Sequence, residues 1–330
     1  MTADGRRLRI AVLGETAVVL DLGSGTVSRV AGSALEICRE LAAGRSVEEV
    51  ALELAQRAGI SPRRAREDAL AVWSRVTAPL EGRPTNPLSF RRVAAGFEMR
   101  CQDRLVLLLE PTGELVAVPD GPTSARDAEW RLRQALPHLL ALRGRAVLHA
   151  ASLRMGEGVL ALGGATGAGK STLAGMMSGG HPISDDLLFL GDEGSPSVVL
   201  GAEERARSWT RALAPELARA GLVRLPEDAV QEMLGGPRLP LGELWLLDAA
   251  TRGGEEMVTA PIPPEQALGE VLLGGFGETG DPDVWDRLFG LAREVAERVR
   301  VARVRVPGEL PLLRRAVDRW SSAERPAPAR

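Results

Sequence analysis

The sequence predicts two units: an α/β domain built around a phosphate-binding loop, and before it a small α+β domain of short strands and three helices. Three observations carry that expectation. Residues 158–172 read as a buried strand, a glycine-rich loop and the first turn of a helix. Residues 8–76 read as short strands followed by three amphipathic helices. Between these, residues 78–88 contain three prolines and no periodicity, which marks a boundary. The expected organisation is a small domain over 1–80, a linker over 81–88, the α/β domain over 89–320 and a disordered Pro/Ala-rich tail over 321–330.

Composition bounds the function classes. The chain has 330 residues, 45% of them apolar, enough for two packed cores. A net charge of −3 argues against a general nucleic-acid binder. The first twenty or so residues are broken by Gly14 and Glu15, too polar for a signal peptide or a membrane span. Cys38 and Cys101 lie far apart and fit no metal spacing, so a reducing cytoplasm without disulfides is expected. There is no tyrosine, so none carries chemistry.

In the first unit, Leu8–Val12 and Ala17–Leu22 read as strands flanking a Gly-Glu-Thr turn, and Gly23-Ser24-Gly25 turns the chain into a third strand over Thr26–Val30. Ala34–Ala43 places apolar Leu35, Ile37, Cys38 and Leu41 at helical spacing. Ser46-Val47-Glu48-Glu49 is a capping-box pattern and opens a second helix through about Ala58. Ser61-Pro62, a cap followed by proline at the first helical position, opens a third helix to about Val76.

Val18-Val19-Leu20-Asp21, Val27–Ser33, Ala34-Leu35-Glu36-Ile37, Arg45–Ala51 and Asp68-Ala69-Leu70 together resemble the PqqD family, also called the RiPP recognition element. The resemblance implies a winged-helix-type module that holds the leader of a ribosomally made precursor peptide as an added strand, between its edge strand and its third helix. An unrelated winged-helix domain is the alternative. DNA binding is a further one, since the third helix carries Arg63, Arg64 and Arg66, but Glu48, Glu49 and Glu53 nearby weaken it.

In the second unit, strands are expected over Arg92–Arg100, Leu105–Glu110 and Glu114–Val118, then an amphipathic helix over Ser124–Leu142. Ala146–Leu153 reads as a strand that hairpins through Gly156-Glu157-Gly158 into Gly158–Leu162. The loop that follows, Gly164-Ala165-Thr166-Gly167-Ala168-Gly169-Lys170-Ser171, has the form G-x-x-x-x-G-K-S, with Thr172 continuing into the helix. Of the 41 lysines and arginines in the chain, Lys170 is the only lysine. A coding bias can explain the avoidance of lysine but not this exception. A phosphate cradle needs a compact ammonium on a flexible stem, which a guanidinium fork replaces poorly. The glycines let backbone N–H groups turn inward, Lys170 would meet the β/γ phosphates and the Ser171 hydroxyl would contact Mg²⁺.

Two features lie near the loop in sequence. His149 is on the preceding strand, and Asp185-Asp186 follows the loop at short range, ahead of apolar Leu187–Leu190. A lone Asp-Asp pair is usually a solvated turn, but phosphoryl transfer needs a metal-holding carboxylate and a group that takes the acceptor's proton, and this pair can supply both.

His149-Ala150-Ala151, Gly164–Thr172, Gly180-His181, Ser184-Asp185-Asp186 and Leu239–Leu247 resemble the HPr kinase/phosphorylase family, and more closely its stand-alone kinase-like members, including those that phosphorylate lasso peptides. The resemblance covers about residues 88–318 and implies a P-loop kinase fold related to phosphoenolpyruvate carboxykinases. It implies Asp185 as catalytic base, His149 as the active-site histidine, Lys170 on the phosphates, and Ser171 and Asp186 on Mg²⁺, with ATP bound by residues 164–172. His181 matches a family position but is expected to shape its turn. Arg205, Arg207 and Arg238 are candidates for an acceptor-side arginine. Thr172 stands where the family has glutamate, the stretch from Lys170 to Asp185 is about two residues shorter, and the family's downstream glycine-rich signature has no counterpart. That puts phosphorylase activity, and HPr as substrate, in doubt.

The expected function is an ATP-dependent kinase acting on a Ser or Thr hydroxyl of a precursor peptide recruited through its leader. The alternatives are a kinase for an HPr-like protein or a small molecule, and a nucleotide-dependent peptide-binding switch without transfer. No nucleic acid or membrane partner is expected, and a homo-oligomer is possible in this family.

Overall fold

The computed structural model describes residues 8–13, 15–22, 26–77, 88–93, 96–101, 104–110, 115–118, 124–165, 167–177, 180–191, 196–248, 254–274 and 282–322. Most of the expected linker (81–87) and of the expected tail (323–330) lies outside them.

β1 (Leu8–Leu13), β2 (Thr16–Asp21) and β3 (Thr26–Ala31) form an antiparallel sheet in the order β1-β2-β3. α1 (Ser33–Ala42), α2 (Val47–Ala58) and α3 (Pro62–Thr77) follow. The capping box at α2 is formed: Glu49 N–H donates to Ser46 Oγ at 3.2 Å and Ser46 N–H to Glu49 Oε2 at 2.7 Å. Strands alternate their side chains between faces, and here both faces are buried. Leu8, Ala17, Val19 and Val30 pack on Leu35, Leu41, Val50 and Trp73 of the three helices. Ala11, Val18, Leu20 and Leu22 face the other way, into a core shared with Leu268, Val271, Trp285 and Phe289. Those residues belong to α8 (Pro264–Gly274) and α9 (Pro282–Arg298) of the second unit. Arg9 pairs with Asp286 of α9 at the edge of this contact, its Nη2 donating to Oδ2 at 3.1 Å.

The second unit holds two sheets. The smaller is antiparallel, in the order β13-β7-β6-β5-β4, from β4 (Leu88–Val93), β5 (Gly96–Cys101), β6 (Arg104–Leu109), β7 (Leu115–Ala117) and β13 (Leu222–Arg224). The single strand expected over 92–100 is thus a hairpin, with Val93 opposite Gly96, and its first strand already begins at Leu88. Gly96 permits it: φ is 138°, and a Cβ there would lie 2.1 Å from the Leu109 carbonyl oxygen. α4 (Ala125–Leu142), capped by Ser124, packs beside α6 (Ala202–Ala220) over this sheet.

The larger sheet runs β10-β8-β9-β14-β16-β15, with β11 also on β8 and β12 on β14. Its strands are β8 (Val147–Met155), β9 (Gly158–Gly163), β10 (His181–Ser184), β11 (Leu187–Phe189), β12 (Ser197–Val199), β14 (Arg238–Leu247), β15 (Val258–Pro261) and β16 (Arg300–Arg305). β9, β14 and β16 are parallel, and β8 joins β9 as a hairpin. α10 (Leu310–Ser322) reaches two residues into the expected tail. Trp320 holds its last turn, edge-on to Trp245 at 4.9 Å between ring centroids. Among the described residues no helix is long and apolar enough to cross a membrane.

Candidate functional site

The loop between β9 and α5 (Lys170–Met176) lies at the C-terminal end of the parallel strands, where open α/β sheets place ligands. Gly164 leaves β9 with φ 136°, and a Cβ there would stand 2.6 Å from the Leu247 carbonyl oxygen of β14. Gly169 enters the helix with φ 95°. Both positions need glycine, which is the physical content of the spacing seen in sequence. Gly167, Ala165 and Ala168 complete the described part of the loop; Thr166 lies outside the described residues. Ser171 and Thr172 are exposed at the start of α5, and Lys170 is buried.

The Lys170 ammonium is folded onto its own loop. Nζ donates to the Gly164 carbonyl at 2.9 Å and the Ala165 carbonyl at 3.3 Å, and lies 2.9 Å from His149 Nε2. On the other side of the ring, His149 Nδ1 is 3.1 Å from Asp186 Oδ1. An ammonium can only donate and a carboxylate only accept, so the pair assigns a neutral imidazole with its proton on Nδ1. Burial pushes the Lys170 pKa down, while the charges of Asp186 and Asp185 work against that shift. The hydrogen bond from His149 holds the Asp186 carboxyl below its ordinary range, and the charges of Lys170 and Arg133 act in the same direction.

Strand pairing brings these side chains together. β11 runs antiparallel to β8 with Leu187 opposite His149, and Ala150 N–H donates to the Asp186 carbonyl at 3.2 Å. The turn from β10 to β11 therefore sets Asp185-Asp186 beside the histidine. Ser184 anchors the turn below, its hydroxyl 2.7 Å from that of Ser152 in a buried pair. His181 is the first residue of β10 and exposed, paired with Arg154 of β8 at the end of the strand away from the acidic pair.

The turn is gripped by a residue that sequence reasoning missed. Glu203, in the first turn of α6 and buried, accepts the Asp185 N–H at 2.7 Å through Oε2 and the Asp186 N–H at 3.3 Å through Oε1. Arg207, one helical turn on, donates to the same Oε1 at 2.7 Å. Of the three candidate arginines, Arg207 alone is brought to the acidic pair. Its pKa is raised by Glu203, with Asp185 adding to the field. Arg205 is spent on the Met233 and Leu200 carbonyls, at 2.9 Å and 3.0 Å. The Arg238 side chain lies against Gly191. Asp248 follows the end of β14, directly after the Leu247 carbonyl that Gly164 abuts.

Glu203→Gln tests the grip. A glutamine offers one acceptor oxygen where two amides need one each, so the turn should loosen. On the kinase reading proposed below, turnover of nucleotide is expected to fall about tenfold to a hundredfold, with nucleotide affinity unchanged within a few-fold. Turnover equal to wild type would show that the turn holds without Glu203.

Comparisons with known proteins give two likenesses. The chain is similar to the HPr(Ser) kinase/phosphatase of Coxiella burnetii at 14% sequence identity, over 53% of this chain and 95% of that one, with a TM-score of 0.24. Comparison with curated proteins finds no match. Residues 16–75, spanning β2 to α3, match the family model of PqqD, the coenzyme PQQ synthesis protein D.

Proposed function

We propose that the chain is a kinase that transfers the γ-phosphoryl group of ATP to a serine or threonine hydroxyl of a ribosomally synthesised precursor peptide, recruited through its leader by residues 1–80. The observation that carries the reading is the continuous series from the Gly164 and Ala165 carbonyls through Lys170 and His149 to Asp186. It ties a glycine loop of phosphate-binding form to an acidic turn at one strand end. The PqqD match supports peptide recruitment, and β3 supports its mode, since among the described residues that strand pairs only with β2.

The residues fit ATP and magnesium. The cramped approach of Gly164 to β14 and the lone lysine suit a phosphate cradle. Among the described residues no three His, Cys, Asp or Glu side chains converge, so Ser171 and Asp186 would hold magnesium jointly with phosphate oxygens, as this ion is commonly held. When bound, ATP supplies the phosphoryl group and magnesium neutralises its charge. Lys170 would give up its loop carbonyls to hold phosphate oxygens. Asp185, exposed on the turn, would take the proton of the acceptor hydroxyl. His149 orients Asp186, and Arg207, paired with Glu203 beside Asp185, brings positive charge to the acceptor side.

The direct test incubates the full chain with radiolabelled ATP, magnesium and synthetic peptides encoded by the short reading frames flanking its own gene. Label on a serine or threonine of one peptide is expected. ADP formation with no labelled peptide would replace the kinase with a nucleotide-dependent switch.

A further inference from the structure

The second buried face of the β1–β3 sheet leaves a groove where the sheet meets α8. It measures about 370 Å³ and is lined by Val18, Val27 and Arg29 of the sheet and by Glu265, Gln266, Gly269 and Glu270 of α8. Val18 and Arg29 are direct cross-strand partners, so the floor follows one row of the sheet to the edge of β3. Val27 and Arg29 point to this side. Ser28 and Val30 point to the other, where Ser28 Oγ reaches the Arg75 carbonyl of α3 at 3.5 Å and Val30 joins the helical core.

We infer that this groove is a second recognition wall for an extended peptide added to the edge of β3. The peptide is then read on one face by α3 and on the other by α8 of the catalytic unit. The inference rests on the peptide-recruiting reading above and extends it. Three features select the occupant. The groove opens along a strand edge that, among the described residues, has a partner on one side only, and every second residue of an added strand would turn a side chain into it. Its floor of Val18, Val27 and Gly269 is apolar. Its charges compensate one another, Arg29 with Glu265 at 3.9 Å and Glu270 with Arg303 at 2.7 Å, so the inward side chain is apolar rather than charged.

Gly269 makes the room. It sits inside α8, where glycine is among the poorest helix formers. A Cβ there would meet only Val27 Cγ1, at an ordinary contact distance of 3.8 Å. A leader seated in the groove touches the α8–α9 hairpin directly, so recruitment and the catalytic unit share one contact surface.

The experiment uses the full chain and a fluorescent peptide enriched from a random-peptide display library selected on it. The peptide is also made with N-methyl groups at alternate residues, which removes strand hydrogen bonds. Wild type, Gly269→Ala and Gly269→Leu are compared, with thermal midpoints as the folding control. Alanine should bind within about twofold of wild type, and leucine, filling the groove, should bind at least about tenfold more weakly. N-methylation in one alternating register should abolish binding to wild type. Unchanged affinity for Gly269→Leu, with sensitivity to N-methylation retained, would overturn the groove and leave recruitment by β3 and α3 intact. Insensitivity to N-methylation in both registers would overturn strand addition itself. Self-association of the chain that Gly269→Leu abolishes would make a second copy the occupant and equally overturn the inference.

Discussion

Lys170→Ala should reduce phosphoryl transfer by a factor on the order of 10³ or more while leaving the fold in place. The ammonium makes three contacts, to two loop carbonyls and to His149, so it belongs to the site and to no hydrophobic core. The carbonyls it leaves lie on a loop whose neighbours Ala165 and Gly167 are exposed, where water can replace it, so the thermal midpoint should move by only a few degrees. Lys170→Arg is the sharper variant. It keeps the charge, and arginine is the residue this chain uses at every other basic position. A planar fork cannot reach two loop carbonyls and an imidazole from the slot of a compact ammonium, so arginine should not restore transfer. Single-turnover transfer and nucleotide affinity, measured on both variants, decide the matter. Transfer by either within a few-fold of wild type would remove the loop from the catalytic machinery.

What was legible in the sequence was what depends on near neighbours along the chain. The glycines at 164 and 169 and the cap at Ser46 are each fixed by backbone conformation over a few residues, and each is where its spacing placed it. The acidic pair, expected ahead of an apolar strand, sits in the turn that leads into β11. Glu203 was not legible, because its work is done on amides seventeen and eighteen residues away and follows from where the first turn of α6 docks. The hairpin at Gly96 was missed for a similar reason: its glycine answers a close approach of the Leu109 carbonyl, which no local pattern announces. The second buried face of the first sheet did leave a trace. Ala17-Val18-Val19-Leu20 is continuously apolar, as strands covered on both sides are, which points to the partner found on α8 and α9.

The roles within the acidic pair give the second large effect. Asp186 is committed to His149 and through it to Lys170, whereas among the described residues no hydrogen bond or ion pair engages the Asp185 side chain. Asp185→Asn keeps the shape of the turn, since Glu203 grips its main chain, but cannot accept a proton. Transfer should fall by about 10²–10⁴ with nucleotide affinity preserved. Asp186→Asn retains an oxygen for the His149 N–H but loses its charge, so it should raise the magnesium concentration needed for half-maximal transfer. It should also differ in acid. The Asp186 pKa is depressed in the folded chain, first by the His149 hydrogen bond. That contact therefore stabilises the fold above the ordinary carboxylate value of about 3.9 and is lost as pH falls through the lowered one. The asparagine variant should lack this acid-side loss. His149→Ala should cost less transfer than Asp185→Asn, because in the proposed mechanism the imidazole orients its neighbours and takes no proton from the acceptor. Magnesium titrations and transfer rates on the three variants separate these roles: a magnesium defect in Asp185→Asn, with the larger rate loss in Asp186→Asn, would exchange the base and the metal-side carboxylate.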